Sequence, residues 1–345
     1  MSLDKENADK IIDFYNHTIK NGVIQFTGGE PLANWDIVSY IMDNTNAKFI
    51  IQTNGSLITK EIAAKLANKE VLVLLSIDGE TEQDNAARKF LSGKNAYEAI
   101  IRGYEIAKEQ GCKVGLSMVA TEINVERLCE IAVDLKNRLQ PDSFGFNIPH
   151  YTKYNHSDVD IIEYTRQMKK IFEFAKKEEI YIDQIARRLK PFVLEKFRLM
   201  DCTSCGEQAV FFPSGLTTNC VNYPAYDRSY ALNRWEKAVP LHRRYCQDCP
   251  AIGICGGGCI YDGIKRYPEE LDLRNCYYTK NMLEFFLYDI LKEMKNHAFD
   301  YSEATKVYYG ILGFKNGNII SAGHETNSDT MALNRNEEVS YVELE

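Results

Sequence analysis

VIQFTGGEPLANW, residues 23–35, holds the unit from which the architecture is built. An apolar, β-branched run passes through a Gly-Gly-Glu loop directly into a helical pattern. Strand, glycine loop and helix in that order open a βα unit. The pattern repeats outward from it. KFIIQTNG (48–55) is a second strand with a turn, followed by a helix at 59–68. VLVLLSIDG (71–79) is a third strand, followed by a helix at 94–110. KVGLSMVAT (113–121) is a fourth, followed by a helix at 124–138, and SFGFNIPH (143–150) is a fifth. Upstream, Ala8, Ile11, Ile12, Tyr15 and Ile19 recur at helical spacing, so 4–20 reads as an amphipathic helix that Asn21-Gly22 stops.

Strands apolar on both faces, alternating with helices, indicate an α/β fold with a parallel sheet and helical crossovers. Polar residues gather where those strands end: Thr27 to Glu30, Thr53-Asn54-Gly55, Ser76 with Asp78, Thr121, and Asn147 with His150. One such loop is an ordinary turn. Five in succession point to a site along the C-terminal edge of the sheet, where barrel-like α/β folds carry theirs.

Residues 156–199 carry long helical patterns of mixed charge. From Asp201 the chain changes to short segments, glycines, aromatics and cysteines, which marks a domain boundary. The chain divides into 1–199, 200–280 and 281–345. The last part holds an amphipathic helix at 281–297, a hairpin-like piece, YGILGFKNGNIISAG, and a polar, acidic end with the composition of disorder. A net charge of −8 argues against a nucleic-acid partner. No run of 18 apolar residues is present, so no membrane span is expected. The polar N-terminus is neither a signal nor a transit peptide, which makes the cytoplasm the expected location.

Disulfides are rare there, so the ten cysteines are informative. Cys112 and Cys129 stand alone and read as small buried hydrophobes. The other eight fall within residues 202–276: Cys202, Cys205-x9-Gly215-x4-Cys220, Cys246-x2-Cys249-x5-Cys255-x3-Cys259 and Cys276. Eight thiolates divide into two sites of four, and four suit either a tetrahedral zinc or a cubane iron–sulfur cluster. No histidine joins the constellation. The run CQDCPAIGICGGGC is glycine-rich, which lets backbone N–H groups approach cluster sulfurs. Both features favour iron–sulfur.

Together these residues resemble the radical S-adenosylmethionine (SAM) enzymes that carry a SPASM domain, the peptide- and protein-modifying branch. The resemblance covers roughly residues 1–280. It implies a partial (β/α)6 barrel followed by a small cysteine-rich iron–sulfur domain and a C-terminal helix. TGGEP matches the Gly-Gly-Glu motif that binds the amino group of SAM, which implies Gly28, Gly29 and Glu30 as contacts. QTNG, LSIDG and Arg88 match further core elements, and Ser76 and Arg88 are implied contacts to the SAM carboxylate. Glu30 reads equally as a capping carboxylate of the following helix. The resemblance assigns Cys202, Cys205, Cys220 and Cys259 to one auxiliary 4Fe-4S cluster and Cys246, Cys249, Cys255 and Cys276 to a second. It also implies a precursor peptide or protein as substrate and an electron donor such as flavodoxin or ferredoxin.

Two departures stand out. The family's Cys-x3-Cys-x2-Cys loop, which holds a third cluster and leaves one iron open for SAM, has no match, since no cysteine precedes Cys112. The helix at 4–20 resembles the family's first barrel helix, so the barrel is expected to lack its first strand. VIQFT would then be an edge with Val23, Ile24 and Phe26 exposed, and residues 1–345 alone would not cleave SAM. Secondly, sulfatase-maturing members place an aspartate after the Cys220 position, where this chain has Val221. The catalytic residue is therefore not assigned. The expected activity is crosslinking or oxidation of a peptide side chain. The alternatives are an iron–sulfur scaffold that binds a precursor peptide or a partner maturase, and a zinc-ribbon interaction protein.

Overall fold

In a computed structural model the described residues are 2–19, 21–151, 158–205, 207–222, 238–267, 271–315 and 318–319. Asp4 caps the first helix, α1 (Lys5–Thr18), by accepting from the Asn7 N–H. Strands and helices then alternate: β1 (Val23–Phe26), α2 (Trp35–Asp43), β2 (Lys48–Thr53), α3 (Lys60–Asn68), β3 (Leu72–Ser76), α4 (Tyr97–Glu109), β4 (Lys113–Val119), α5 (Leu128–Leu139), β5 (Ser143–Asn147), α6 (Ile161–Glu178), β6 (Tyr181–Ile182) and α7 (Asp183–Val193).

The six strands form one sheet in chain order, every neighbouring pair parallel. That order follows from connections by single helices that all pack back on the sheet. It has one consequence for function: every strand ends on the same edge. Five strands are those expected. β6 is an addition, set inside the region read as helical. It has only two residues, too few for a period of two to show. Glu179, at φ 50°, stops α6 just before it.

The core lies between sheet and helices. Ile51, Val73, Leu75, Val114, Met118, Phe144 and Phe146 are essentially inaccessible on the strands, and Leu66, Ile100, Leu135 and Ile171 meet them from the helices. Cys112 is buried and donates its S–H to Ala63 O at 3.3 Å. Cys129 packs partly buried against the same core. Both behave as small hydrophobes.

The edge strand differs from expectation. Val23 is 48% exposed, but Ile24 and Phe26 are half-buried against the core, and Phe26 stacks on Phe49 at 6.2 Å. The β1 edge is therefore less apolar than its sequence suggests.

Beyond α7 come a hairpin, β7 (Val210–Phe211) with β8 (Thr217–Thr218), and short helices α8 (Ile252–Cys255) and α9 (Ile260–Arg266). Helix α10 (Leu273–Asn296) follows, then α11 (Tyr301–Thr305) and a short pair, β9 (Phe314–Lys315) with β10 (Asn318–Ile319). The last pair falls in the expected hairpin; the acidic end, 320–345, lies outside the described residues. Helix α10 starts before the expected 281. Asp272 caps it by accepting from Arg274 N, and so Cys276 sits in its first turn. It docks on α6 through Phe172, whose ring lies 5.2 and 5.5 Å from Phe285 and Phe286. The cysteine-bearing part is tied to the barrel on another side, where Phe14 meets Phe211 at 5.3 Å and Asn7 Nδ2 donates to Pro213 O at 3.5 Å.

Candidate cofactor and metal sites

The Gly-Gly-Glu loop follows β1 on the shared edge. Gly28 holds φ +134°, a conformation L side chains rarely adopt, and a Cβ at Gly28 or Gly29 would meet nothing within 4 Å. The loop thus presents bare backbone beside open space. Glu30 caps the short 3-10 turn Pro31–Asn34 by accepting from Leu32 N at 3.1 Å. It also accepts from Thr53 Oγ1 at 2.6 Å and Asn54 N at 2.8 Å. The capping role expected for a carboxylate here is therefore real, and β2 adds two more anchors. An ionised carboxylate has about four acceptor sites. Three are used, which leaves capacity for one cationic donor.

Ser76 is half-buried at the end of β3, opposite Ser117 on β4. Two residues on, Asp78 is buried and accepts from Val119 N at 3.0 Å and Arg88 Nη2 at 2.7 Å. That bond draws Arg88 back toward the strand ends. Its Nε is buried with no hydrogen-bond partner among the described residues. A buried donor without an acceptor is costly, so the guanidinium is suited to an anionic ligand. The donor set fits the amino-acid end of SAM: a carboxylate and bare glycine backbone for the amino group, and an unsatisfied guanidinium N–H for the carboxylate.

Seven of the eight clustered cysteines are described with their side chains. Cys246 and Cys249 share a tight turn, with Cys249 N donating to Cys246 O at 3.0 Å. Cys255 ends α8, and Cys276 rides the first turn of α10. Burial pushes the Cys276 thiol up to about 12, and the nearby Cys255, Cys246 and Cys249 sulfurs add to the rise. Burial likewise raises Cys246, again with help from Cys255 and Cys249. These four form one mutually interacting group. Crowded, buried thiols resist becoming thiolates unless a cation joins them, and a metal inverts that balance by deprotonating its ligands.

Cys259 faces the other way. Burial raises its thiol well above the ordinary range, followed by the charges of Asp262 and Cys202. Cys220 is buried in the patch formed by Ala238, Ile260 and Tyr261, against which Cys259 packs. Cys202 Sγ lies 3.2 Å from Ser204 Oγ. Cys205 closes the 3-10 turn Thr203–Cys205; its side chain is outside the described set. Cys246, Cys249, Cys255 and Cys276 thus lie near one another, while Cys259 lies near Cys202 and packs on the patch that holds Cys220.

The divider is CGGGC. Gly256, Gly257 and Gly258 hold φ of +66°, +88° and +72°. A Cβ on Gly256 would stand 2.5 Å from Asp201 N, whose own N–H donates to Gly256 O at 2.7 Å. This left-handed run turns Cys255 to one group and Cys259 to the other. Burial raises the Cys255 thiol, and the Arg188 charge and then the Gly257 N–H oppose that rise. Gly215, at φ +82°, turns the β7–β8 hairpin, with Gly215 N donating to Phe212 O at 2.9 Å.

Sequence reasoning missed three features. His150, after β5, places its Nδ1 2.6 Å from Asp262 Oδ2. One ring nitrogen, the Cys259 sulfur and an Asp262 oxygen lie within 4.8 Å of one another. A histidine therefore does join the constellation, from 112 residues away from Asp262. Burial works against the Asp262 carboxylate, but the His150 bond and charge and the Tyr151 N–H hold it below the usual range. The second is the buried ion pair of Arg188 with Asp201, Nη1–Oδ1 2.6 Å and Nη2–Oδ2 2.7 Å. The third is Asn275, between Arg188 and Cys255. His150 had shown itself only as a strand-end polar residue. Arg188 sits inside a helical pattern and Asn275 ahead of the expected helix at 281, and no local spacing marks either.

A profile of the radical SAM superfamily matches residues 1–135. An uncharacterised protein of Methanocaldococcus jannaschii is 30% identical over 202 residues, 54% of this chain and 67% of that protein. The cysteine-type anaerobic sulfatase-maturating enzyme of Clostridium perfringens is 25% identical over 306 residues, 76% of this chain and 80% of the enzyme. Among solved structures, native anSMEcpe with bound AdoMet and the Kp18Cys peptide superposes with a TM-score of 0.68 at 21% identity, covering 86% of this chain and 91% of that one. At that identity the superposition speaks for the fold alone, and it agrees with the parallel sheet described above. With the Gly-Gly-Glu loop at the common strand edge, the family match shows that residues 1–135 of the chain belong to the radical SAM superfamily.

Proposed function

We propose that this chain is a radical SAM/SPASM maturase that crosslinks or oxidises a side chain of a ribosomal peptide or protein. On this reading residues 1–199 are the barrel part and linker helices, 200–280 the SPASM domain and 281–345 a C-terminal helix and tail. What supports the reading is a Gly-Gly-Glu loop at the strand edge together with the group of Cys246, Cys249, Cys255 and Cys276 and the nearness of Cys259 to Cys202. When bound, SAM and the iron–sulfur centres supply the 5′-deoxyadenosyl radical and the electron transfers.

The chain's own residues bind and orient. Gly28, Gly29 and Glu30 would hold the SAM amino group, with Thr53 and Asn54 fixing the carboxylate that does so. Arg88, restrained by Asp78, would offer its unpaired Nε to the SAM carboxylate, and Ser76 stands at the same strand end. Cys202, Cys205, Cys220 and Cys259 would hold one auxiliary 4Fe-4S cluster, and Cys246, Cys249, Cys255 and Cys276 the other. The Gly257 N–H would donate to a cluster sulfur. The peptide would lie along the strand-end edge, and a flavodoxin- or ferredoxin-type donor would supply electrons in the cytoplasm. Val221 supports a substrate reaction other than formylglycine formation, since it cannot take up a proton.

The test supplies what residues 1–345 do not contain. Reconstituted protein, alone and with an upstream segment bearing Cys-x3-Cys-x2-Cys fused in frame, is incubated with SAM and a strong reductant, and 5′-deoxyadenosine is assayed. The expected result is no product from 1–345 alone and product from the fused chain, reduced at least tenfold by Glu30→Ala. No product from a fused chain with a full complement of clusters would favour the peptide-binding scaffold instead.

A further inference from the structure

One contact to the second cysteine group comes from outside it. Asn275 Nδ2 donates to Cys255 Sγ at 3.3 Å. Chemistry fixes the amide's orientation. Its Oδ1 accepts from Arg188 Nη2 at 2.7 Å, and a guanidinium has only donors. The oxygen must therefore face Arg188, and the NH2 must face the sulfur. Arg188 cannot drift, because its Nη1 and Nη2 are held by Asp201 and its Nε donates to Thr279 Oγ1 at 3.1 Å. Arg188, Asn275 and Thr279 are all buried. Gly258 supplies the room: a Cβ there would lie 2.8 Å from Asn275 Nδ2. The result is a continuous buried line, Asp201–Arg188–Asn275–Cys255, whose last hydrogen bond ends on a sulfur.

We propose that Asn275 is a positioning residue that sets the reduction potential of the cluster held by Cys246, Cys249, Cys255 and Cys276. The proposal rests on the cluster reading of that group. Reduction adds negative charge that spreads onto the thiolate ligands. A hydrogen bond to one of them stabilises the reduced form and raises the potential. Burial strengthens the bond, and the pull of Arg188 on the amide oxygen polarises the N–H further. Arg188 thus acts on the cluster through Asn275 as well as directly by its charge, which favours negative charge on the Cys255 sulfur without touching it.

The test uses chain 1–345 reconstituted anaerobically in a Cys220→Ser background, which leaves the second cluster to be read alone. Its midpoint potential is measured by an EPR-monitored redox titration. Asn275→Leu keeps the side chain's size and removes the donor. At the wild-type midpoint its reduced-to-oxidised ratio is expected to fall about tenfold, a shift of ~59 mV for one electron. Asn275→Ala is the second variant in case leucine disturbs loading, and the same downward shift is expected. In a Cys246→Ser background the first cluster's potential should not move. A fully loaded Asn275→Leu or Asn275→Ala protein with an unchanged midpoint would overturn the proposal, as would equal shifts in both clusters. Failure of the Cys220→Ser parent to take up about four irons would overturn the cluster reading itself and the proposal with it.

Discussion

At the scale of residues, the separation of the two cysteine groups depends on three glycines. Gly256 combines a left-handed backbone with a Cβ position 2.5 Å from a backbone nitrogen. Gly257 has the same handedness, but its Cβ would meet Ala238 O at a looser 3.1 Å. Backbone strain alone costs about 1–2 kcal/mol for a residue with a Cβ. Gly256→Ala should therefore lower the unfolding free energy by more than that, and Gly257→Ala by less than Gly256→Ala. Chemical denaturation of the two variants checks the order, and the reverse order would show that the clash does not matter. The Arg188–Asp201 pair makes a second prediction. Burial opposes ionisation of Asp201, but Arg188 and Arg198 more than offset it and hold the carboxyl far below its usual range. A depressed folded-state pKa means that the unfolded chain binds the proton more readily. The pair's contribution is then present above about pH 4, the unfolded carboxyl pKa, and is lost as pH falls below it. Arg188→Met should cost about 3 kcal/mol at pH 7, the low end for a broken buried pair because Arg198 remains. The deficit should shrink at acid pH, whereas a deficit independent of pH would assign the loss to packing alone.

At the scale of elements, one sheet edge carries a prediction. β1 pairs only with β2 among the described residues, while β3 and β4 have neighbours on both sides. Amide exchange across 23–27 should therefore be faster than across β3 by a factor of a hundred or more, as befits a frayed edge. Equal protection would show that another segment or chain covers β1. What the sequence disclosed at this scale follows the physics of burial. β2 to β5 are buried on both faces and read as apolar runs. β6 is two residues long, and the start of α10 is fixed by a single capping aspartate among other polar residues, so neither leaves a periodic signal. The sites divide in the same way. Cysteine spacing and the Gly-Gly-Glu loop are local in sequence and were legible. The His150–Asp262 bond spans 112 residues and the Arg188–Asn275 bond 87, and only folding brings such pairs together.

At the scale of the whole molecule, a barrel part and a cysteine-rich part are bound by contacts from both of their ends. Asn7 and Phe14 of α1 meet the β7–β8 hairpin. Asp262 clasps His150 and Tyr151 beyond β5, while Arg274 donates to Pro149 O at 3.0 Å. The strand-end edge at His150 and the Cys259 side of the first cysteine group are thereby held as neighbours. On the proposed reading the eight clustered cysteines form two iron–sulfur sites. The most direct measurement is iron, acid-labile sulfide and zinc per chain after anaerobic reconstitution of residues 1–345. About eight irons and about eight sulfides are expected, falling by about half in Cys220→Ser and likewise by about half in Cys246→Ser. About two zinc ions per chain, with no iron taken up, would contradict that reading.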